Sequence, residues 1–316
     1  MGSKCLNFYL FRITAMDSKR IIAFFPAVYD IIFYVQKINE RIFDLRKTVI
    51  EPNGKNLQYW RDIWNYRELA YNLAKRDITV RYKQTRIGLG WAVIAPIISM
   101  FVSTFIFGTL AGLSSDGNAP YFIMVYAGSI PWAIFQGNVL QTSSTFITNA
   151  ALMKKVYYPR ILSPIGACFA TAFDSMISIV VLMVMMLIVG YYPTVRFLLF
   201  PVFLLLNAFL GLFTGLFLSS FNVKWRDMAQ IVPFALSILQ YACPVSYSMS
   251  SIPEKYRLIY SLNPVTGMIS AFKWCVIGDM SFDTLSFLVA MAWLVLLAVF
   301  GIILFRRTER NFVDIV

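Results

Sequence analysis

The chain has 316 residues, of which 59% are hydrophobic and only 14% charged, and the apolar residues gather in long runs. That excludes an ordinary soluble domain and describes an all-α polytopic membrane protein with an N-terminal appendage. A net charge of +12 would suggest nucleic acid in a soluble protein, but here the basic residues flank apolar runs, as topology and anionic inner-leaflet lipid require.

Residues 1–58 are mixed in character. Ile21–Val35 is apolar but carries Pro26 and Asp30, so a surface-lying or buried helix is expected there, and no small-residue cleavage site follows it. Leu6 breaks the pattern for N-myristoylation. Glu51-Pro-Asn-Gly-Lys55 separates the appendage from the rest. In Tyr59–Val80, Trp60, Ile63, Trp64, Tyr71, Ala74 and Ile78 recur at helical spacing with charges on the other faces, which predicts a helix lying in the headgroup layer.

A basic collar (Lys75, Arg76, Arg81, Lys83, Arg86) then meets Trp91–Ala111, which is uncharged and about 31 Å long as a helix, enough to span the hydrocarbon core. The collar assigns that end to the cytoplasm. Further spans are predicted at Tyr121–Leu140, Ser163–Val189, Phe197–Ser220, Ala229–Ser246 and Leu285–Phe305, giving six spans with both termini cytoplasmic. Lys154, Lys155, Arg160, Lys224, Arg226, Arg306, Arg307 and Arg310 then fall inside, whereas Arg196, Lys255, Arg257 and Lys273 fall outside. Within the long exterior region, Pro253–Pro264 is amphipathic and Val265–Ile277 is apolar but too short to span, with a turn forced at Asn263-Pro264. Two re-entrant half-helices in the outer leaflet are expected, and such backbone survives at membrane depth only when buried in protein or lining a cavity.

The chain contains no histidine, the commonest general base and zinc ligand, and no G-x-x-x-x-G-K-[ST] phosphate loop. Cys168 and Cys243 sit in apolar runs without C-x-x-C spacing and read as small hydrophobes. Asp174 is an acid within a span, a functional candidate with a partner. Lys273 or a Ser or Tyr hydroxyl could serve, and a hydrogen bond holding helices together is the expected role.

Four ordered blocks carry a family resemblance: Arg76-Asp-Ile-Thr-Val-Arg-Tyr-Lys-Gln-Thr85 with Gly88-Leu-Gly-Trp91 and Pro96; Asn149–Arg160; Asn222–Asp227; and Pro253–Arg257 with Leu262-Asn-Pro264. Together they resemble ABC-2 type permeases of polysaccharide and O-antigen exporters, over roughly residues 59–316. The resemblance implies the ABC-2 (type V exporter) fold, and a half-transporter that pairs with a second copy and with two ATPase subunits. Those subunits would bind ATP and Mg, and no cofactor is implied for this chain.

By the same resemblance, Asn149, Leu152, Met153, Lys154, Lys155, Val156, Tyr157, Tyr158 and Arg160 belong to a coupling segment inserted into the ATPase, with Arg226 and Asp227 a second contact. The implied cargo is a glycan on undecaprenyl diphosphate, O antigen first, with capsular glycan or teichoic acid as alternatives. A basic cluster at the cytoplasmic entrance (Arg81, Lys83, Arg86) suits a diphosphate headgroup, and topology alone would also explain it. Trp132, Phe135, Tyr241, Tyr247, Tyr256, Tyr260 and Trp274 are candidate sugar-stacking residues of a conduit. A membrane transferase acting on polyprenyl-linked sugars is the competing class, for which the sparse acids and missing histidine are poor equipment.

Overall fold

The computed structural model describes residues 56–83, 88, 90–115, 117–155, 158–225 and 227–315. The predicted extension 1–58 lies almost wholly outside them, as do Arg86, Val156, Tyr157 and Arg226. In chain order, α1 (Asn56–Asn65) and α2 (Arg67–Lys83) precede α3 (Gly90–Leu110), whose final turns are π-helical. Next come α4 (Tyr121–Ser143) and two short helices, α5 (Thr145–Thr148) and α6 (Ala150–Lys155). The long helices α7 (Leu162–Val189) and α8 (Phe200–Asn222) follow, then the shorter α9 (Met228–Tyr241), α10 (Glu254–Ser261) and α11 (Pro264–Ile277), and finally α12 (Thr284–Ile315). Among the described residues there is no strand. Five helical stretches are long and apolar enough to cross a bilayer: α3, α4, α7, α8 with the turn before it, and α12 to Glu309.

Helix α4 is the hub: 72% of its apolar window is buried, against 6% for α3 and 11% for α12, so α4 is surrounded by protein while the others face outward. Its closest neighbour is α8, where Gly211 and Gly215 admit the backbone of α4. A Cβ on Gly211 would lie 3.0 Å from Phe135 O, and one on Gly215 would lie 2.5 Å from Thr142 Cβ. Small residues spaced by four are the usual means of bringing two apolar helices together in a membrane.

Three asparagines stitch the seam. Asn138 Nδ2 donates to Ala208 O at 3.1 Å, Asn207 Nδ2 donates to Pro131 O, and Asn222 Nδ2 donates to Ser143 O at 2.9 Å. Thr171 of α7 donates to Asn138 Oδ1, so this one side chain joins three helices.

The predicted span Ala229–Ser246 is helical only over the 14 residues of α9, about 21 Å, less than the ~30 Å core. Pro244 explains the stop, because it disfavours a helical residue before it and supplies no N–H. Carbonyls beyond the helix end then need donors. Lys273, on α11 and 2% exposed, supplies them: its Nζ donates to Pro244 O at 2.6 Å and to Tyr247 O at 3.0 Å. Helix α11 begins at an Asn263 cap, whose side chain accepts from Val265 N at 3.1 Å, with Pro264 at the first helical position. It packs against α4, α8 and α12, as expected for a helix too short to span. Its partner α10 exposes Tyr256, Leu258 and Ile259 instead.

The single headgroup helix expected over Tyr59–Val80 is two helices that meet at Tyr66, and α2 packs lengthwise on α7. At Gly166 the neighbours are Leu73 Cβ and Ala74 N, 3.2 and 3.3 Å from where a Cβ would be. Small residues on both helices decide the contact, and of the apolar face read from the sequence, Trp64 and Tyr71 are exposed.

Two outcomes are expected for purified protein. Gly215→Leu should destabilise by about 1–3 kcal/mol through overpacking, seen as a lower unfolding midpoint in detergent, whereas Leu205→Ala, exposed on the same helix, should shift it little. Lys273→Met should destabilise by about 1–3 kcal/mol or more, because two carbonyls at membrane depth lose their donor. Faster amide exchange confined to α9 and α11 would be its signature.

Candidate functional site

Following α2 along α7 from the Gly166 contact leads to Asp174. Leu73 to Arg81 is eight residues and Gly166 to Asp174 is also eight, so the two helices keep step for about 12 Å and arrive together. Arg81 Nη1 donates to Asp174 Oδ2, and the Tyr82 hydroxyl donates to Asp174 Oδ1. Asp174 therefore takes a tyrosine hydroxyl, one of the partners the sequence allowed, together with an arginine it did not suggest. Lys273 is engaged elsewhere, on the carbonyls beyond α9. Burial first, and the Asp174 carboxylate second, push the Tyr82 phenol up to about 12, so it remains a donor at any physiological pH.

The ion pair is not sealed: the Arg81 side chain is 36% exposed and that of Asp174 28%. A cavity of about 140 Å³ opens beside it, between α4 (Gly137, Gln141) and α7 (Thr171, Ser175, Ser178). Ser175 Oγ donates to Thr171 O at 2.8 Å and Ser178 Oγ to Asp174 O at 3.2 Å, so hydroxyl oxygens line its wall. Depth follows from length. Helix α7 has 28 residues, about 42 Å, roughly 12 Å more than the hydrocarbon core. The surplus belongs at the start, where α2 flanks it with exposed Glu68, Lys75 and Arg76. Asp174 is twelve residues, about 18 Å, past Leu162, near the boundary between headgroups and hydrocarbon and not at mid-depth. Of the three basic residues singled out for a headgroup, Arg81 faces this cavity and Lys83 is exposed. Lys83, two residues on, takes another face of α2.

The described residues of Asn149–Arg160 form the end of the bundle on the α2 side. Phe146, Met153, Tyr158, Ile161 and Leu162 join Ala70 and Leu73 of α2 and Phe305 of α12 in one apolar cluster, in which Phe146 stacks on Phe305 at 4.8 Å. Arg76, paired with Asp77 at 2.8 Å, also donates to Asn149 Oδ1 at 3.1 Å. The Arg160 N–H donates to Glu309 Oε1 at 3.0 Å, and its Nη1 donates to Glu309 O at 2.5 Å. Asn149, Met153, Tyr158 and Arg160 thus hold the segment to the bundle. Among the described side chains, Ile147, Thr148 and Ala151 face outward beside half-buried Leu152, and those of the predicted Lys154 and Lys155 lie outside the description. Ile147, 51% exposed, went unnoticed in the sequence. Asn222, through its bond to Ser143, brings the loop with exposed Lys224, Trp225 and Asp227 to this same end.

The aromatic candidates divide. Trp132 and Phe135, 3% and 4% exposed, pack against each other at 5.9 Å inside the core with Val232, Leu236 and Val245, and face no opening. Trp274 lies under the Arg196 guanidinium, 4.9 Å from the ring, and against Phe282. Tyr247 and Tyr260 meet edge to face at 6.4 Å, and the Tyr247 hydroxyl donates to Tyr241 O at 2.9 Å. Tyr241 and Tyr256 are exposed. Four tyrosines therefore remain together around the α9–α10 connection, a grouping the sequence spacing did not reveal.

Comparison with known proteins supplies the family. The model for the ABC-2 type transporter family matches residues 68–277. An O-antigen export system permease protein RfbA of Klebsiella pneumoniae is 24% identical over 250 residues, covering 78% of this chain and 95% of that protein. Its Myxococcus xanthus namesake is 27% identical over 215 residues, covering 67% and 82%. The polysialic acid transport protein KpsM of Escherichia coli is 25% identical over 241 residues, covering 74% and 91%. With its apolar spans, the buried α11 and the matched stretch from α2 through α11, this multi-pass membrane chain belongs to the ABC-2 type transporter family.

Proposed function

We propose that the chain is the membrane subunit of an ATP-driven exporter that moves a lipid-linked polysaccharide, O antigen first, across the bacterial inner membrane. The observation that carries the reading is the end of the bundle formed by α5 and α6. There a short helical segment is braced by α2 through Arg76–Asn149 and by α12 through Arg160–Glu309, and turns Ile147, Thr148, Ala151 and Leu152 outward. A braced, protruding helix passes a rigid-body push into the spans that hold it. ATP and Mg would bind on a separate ATPase subunit seated on that face, with Lys224, Trp225 and Asp227 beside it.

Permease relatives named for O-antigen export support the cargo, and similarity to a polysialic acid transporter keeps capsular glycan as the second reading. The reading includes two copies of the chain with the glycan route between them, and it is supported by the interior of the described bundle, which α4 and its neighbours fill. Both termini are assigned to the cytoplasm. This requires a sixth crossing, completed by α9 together with the turns that follow it. The headgroup is undecaprenyl diphosphate, entering at the α2 end, and the four tyrosines near α10 offer ring faces to sugar on the other side.

Expression in a strain lacking its O-antigen permease tests the reading. Surface O antigen should return with the chain and its cognate ATPase, and should be lost when the phosphate-loop lysine of that ATPase is changed. Restored export without the ATPase would refute it. Ile147→Asp together with Leu152→Asp should release the ATPase from detergent-purified complexes or lower its stimulated activity at least tenfold, with the spans still folded by circular dichroism.

A further inference from the structure

Arg81 meets a carboxylate where a cavity opens between α4 and α7, and that pairing has a use. We propose that Arg81 is a binding site for a lipid-borne phosphate, best a diphosphate, and that the Asp174 carboxylate is its resting occupant, displaced when the headgroup arrives. This rests on the transport reading above and specifies how its substrate is first held.

Three observations converge. The pair is reachable, with both side chains about a third exposed beside the cavity, and an exposed pair of this kind is weakly held. By the length of α7 argued above, Asp174 sits only about 6 Å inside the hydrocarbon boundary, a depth from which a long arginine can snorkel toward the headgroups. Hydroxyl groups stand within a lining that is otherwise largely apolar: Ser175 and Ser178 on its wall and Tyr82 beside it can turn toward an oxyanion, and the cavity far exceeds the roughly 10–15 Å³ that admits one water.

A diphosphate offers more charge and more acceptor oxygens than one carboxylate, and the guanidinium fork suits phosphate in particular. The exchange therefore runs toward the headgroup at the membrane surface and back to Asp174 after it leaves. Asp174 also keeps Arg81 from holding every passing anionic lipid, and ties α2 to α7 while the site is empty. An engaged headgroup loosens that tie at the helix next to the braced α6 segment.

The experiment uses the full chain in phosphatidylcholine nanodiscs, with labelled undecaprenyl diphosphate as probe. Asp174→Asn should tighten binding about three- to tenfold, Arg81→Gln should weaken it at least tenfold, and the double variant should behave like Arg81→Gln alone, since the two residues act through one contact. Asp174→Ser, which keeps a small polar group among Ser175 and Ser178, is the second variant should the asparagine form not accumulate. Unchanged or weaker binding in the Asp174 variants, or a gain that survives loss of Arg81, would overturn the proposal.

Phosphatidylglycerol added at equal mole fraction separates the sources. Full competition identifies ordinary bilayer lipid as the occupant, and its absence identifies the carrier headgroup. If Asp174→Asn binds as wild type while O antigen still reaches the surface, the exchange is wrong and the transport reading stands. Exchange without export would mean the reverse.

Discussion

The seam between α4 and α8 is the constraint on which the rest of the bundle depends. Inside a hydrocarbon layer, apolar side chains gain little by leaving lipid for protein, so close backbone approach and internal hydrogen bonds must hold the spans together. Gly211 and Gly215 permit the approach, and Asn138, Asn207 and Asn222 use it to reach carbonyl oxygens across the seam. With α4 fixed at the centre, Gly137 and Gln141 become one wall of the cavity beside Asp174, and Ser143 anchors the loop that follows α8.

A second register, between α2 and α7, links the two ends of the functional surface. The Ala70–Leu73–Ala74 contact at Gly166 and the Arg81–Asp174 contact are the same eight residues apart on each helix, so neither can slip without the other. Arg76 lies between them and holds Asn149. One helix therefore touches both the outward-turned α5–α6 segment and the carboxylate at the membrane boundary. In the proposed transport reading, α2 is the rigid element that would carry motion between the ATPase-facing segment and the headgroup site.

Lys273 resolves a different difficulty. The chain leaves helical geometry after Tyr241 at a depth where free carbonyls are expensive, and a buried ammonium with rotatable donors closes two of them. That leaves α9 short and α11 enclosed, and lets the tyrosines at 241, 247, 256 and 260 gather around the connection on the rim.

Some of this was legible in the sequence. Runs of about twenty uncharged residues identify spans because length and polarity alone decide whether a segment tolerates lipid. Asn263-Pro264 marked the start of α11, and the four ordered blocks carried the family. The break in the fifth predicted span was also written there, in Pro244, but an apolar window passes over a single proline.

Tertiary structure decided the rest, because the spans are apolar on every side. A residue that faces lipid and one that faces protein have the same character, so periodicity cannot report which way Trp132 or Phe135 turns, and both proved to be core. The orientation of α2 and the partner of Asp174 were hidden for a related reason: they are fixed by small residues, Ala70, Ala74 and Gly166, whose fit depends on a helix remote in the chain. The sequence by itself determined what enters the membrane, and packing between distant helices determined which side chains meet there.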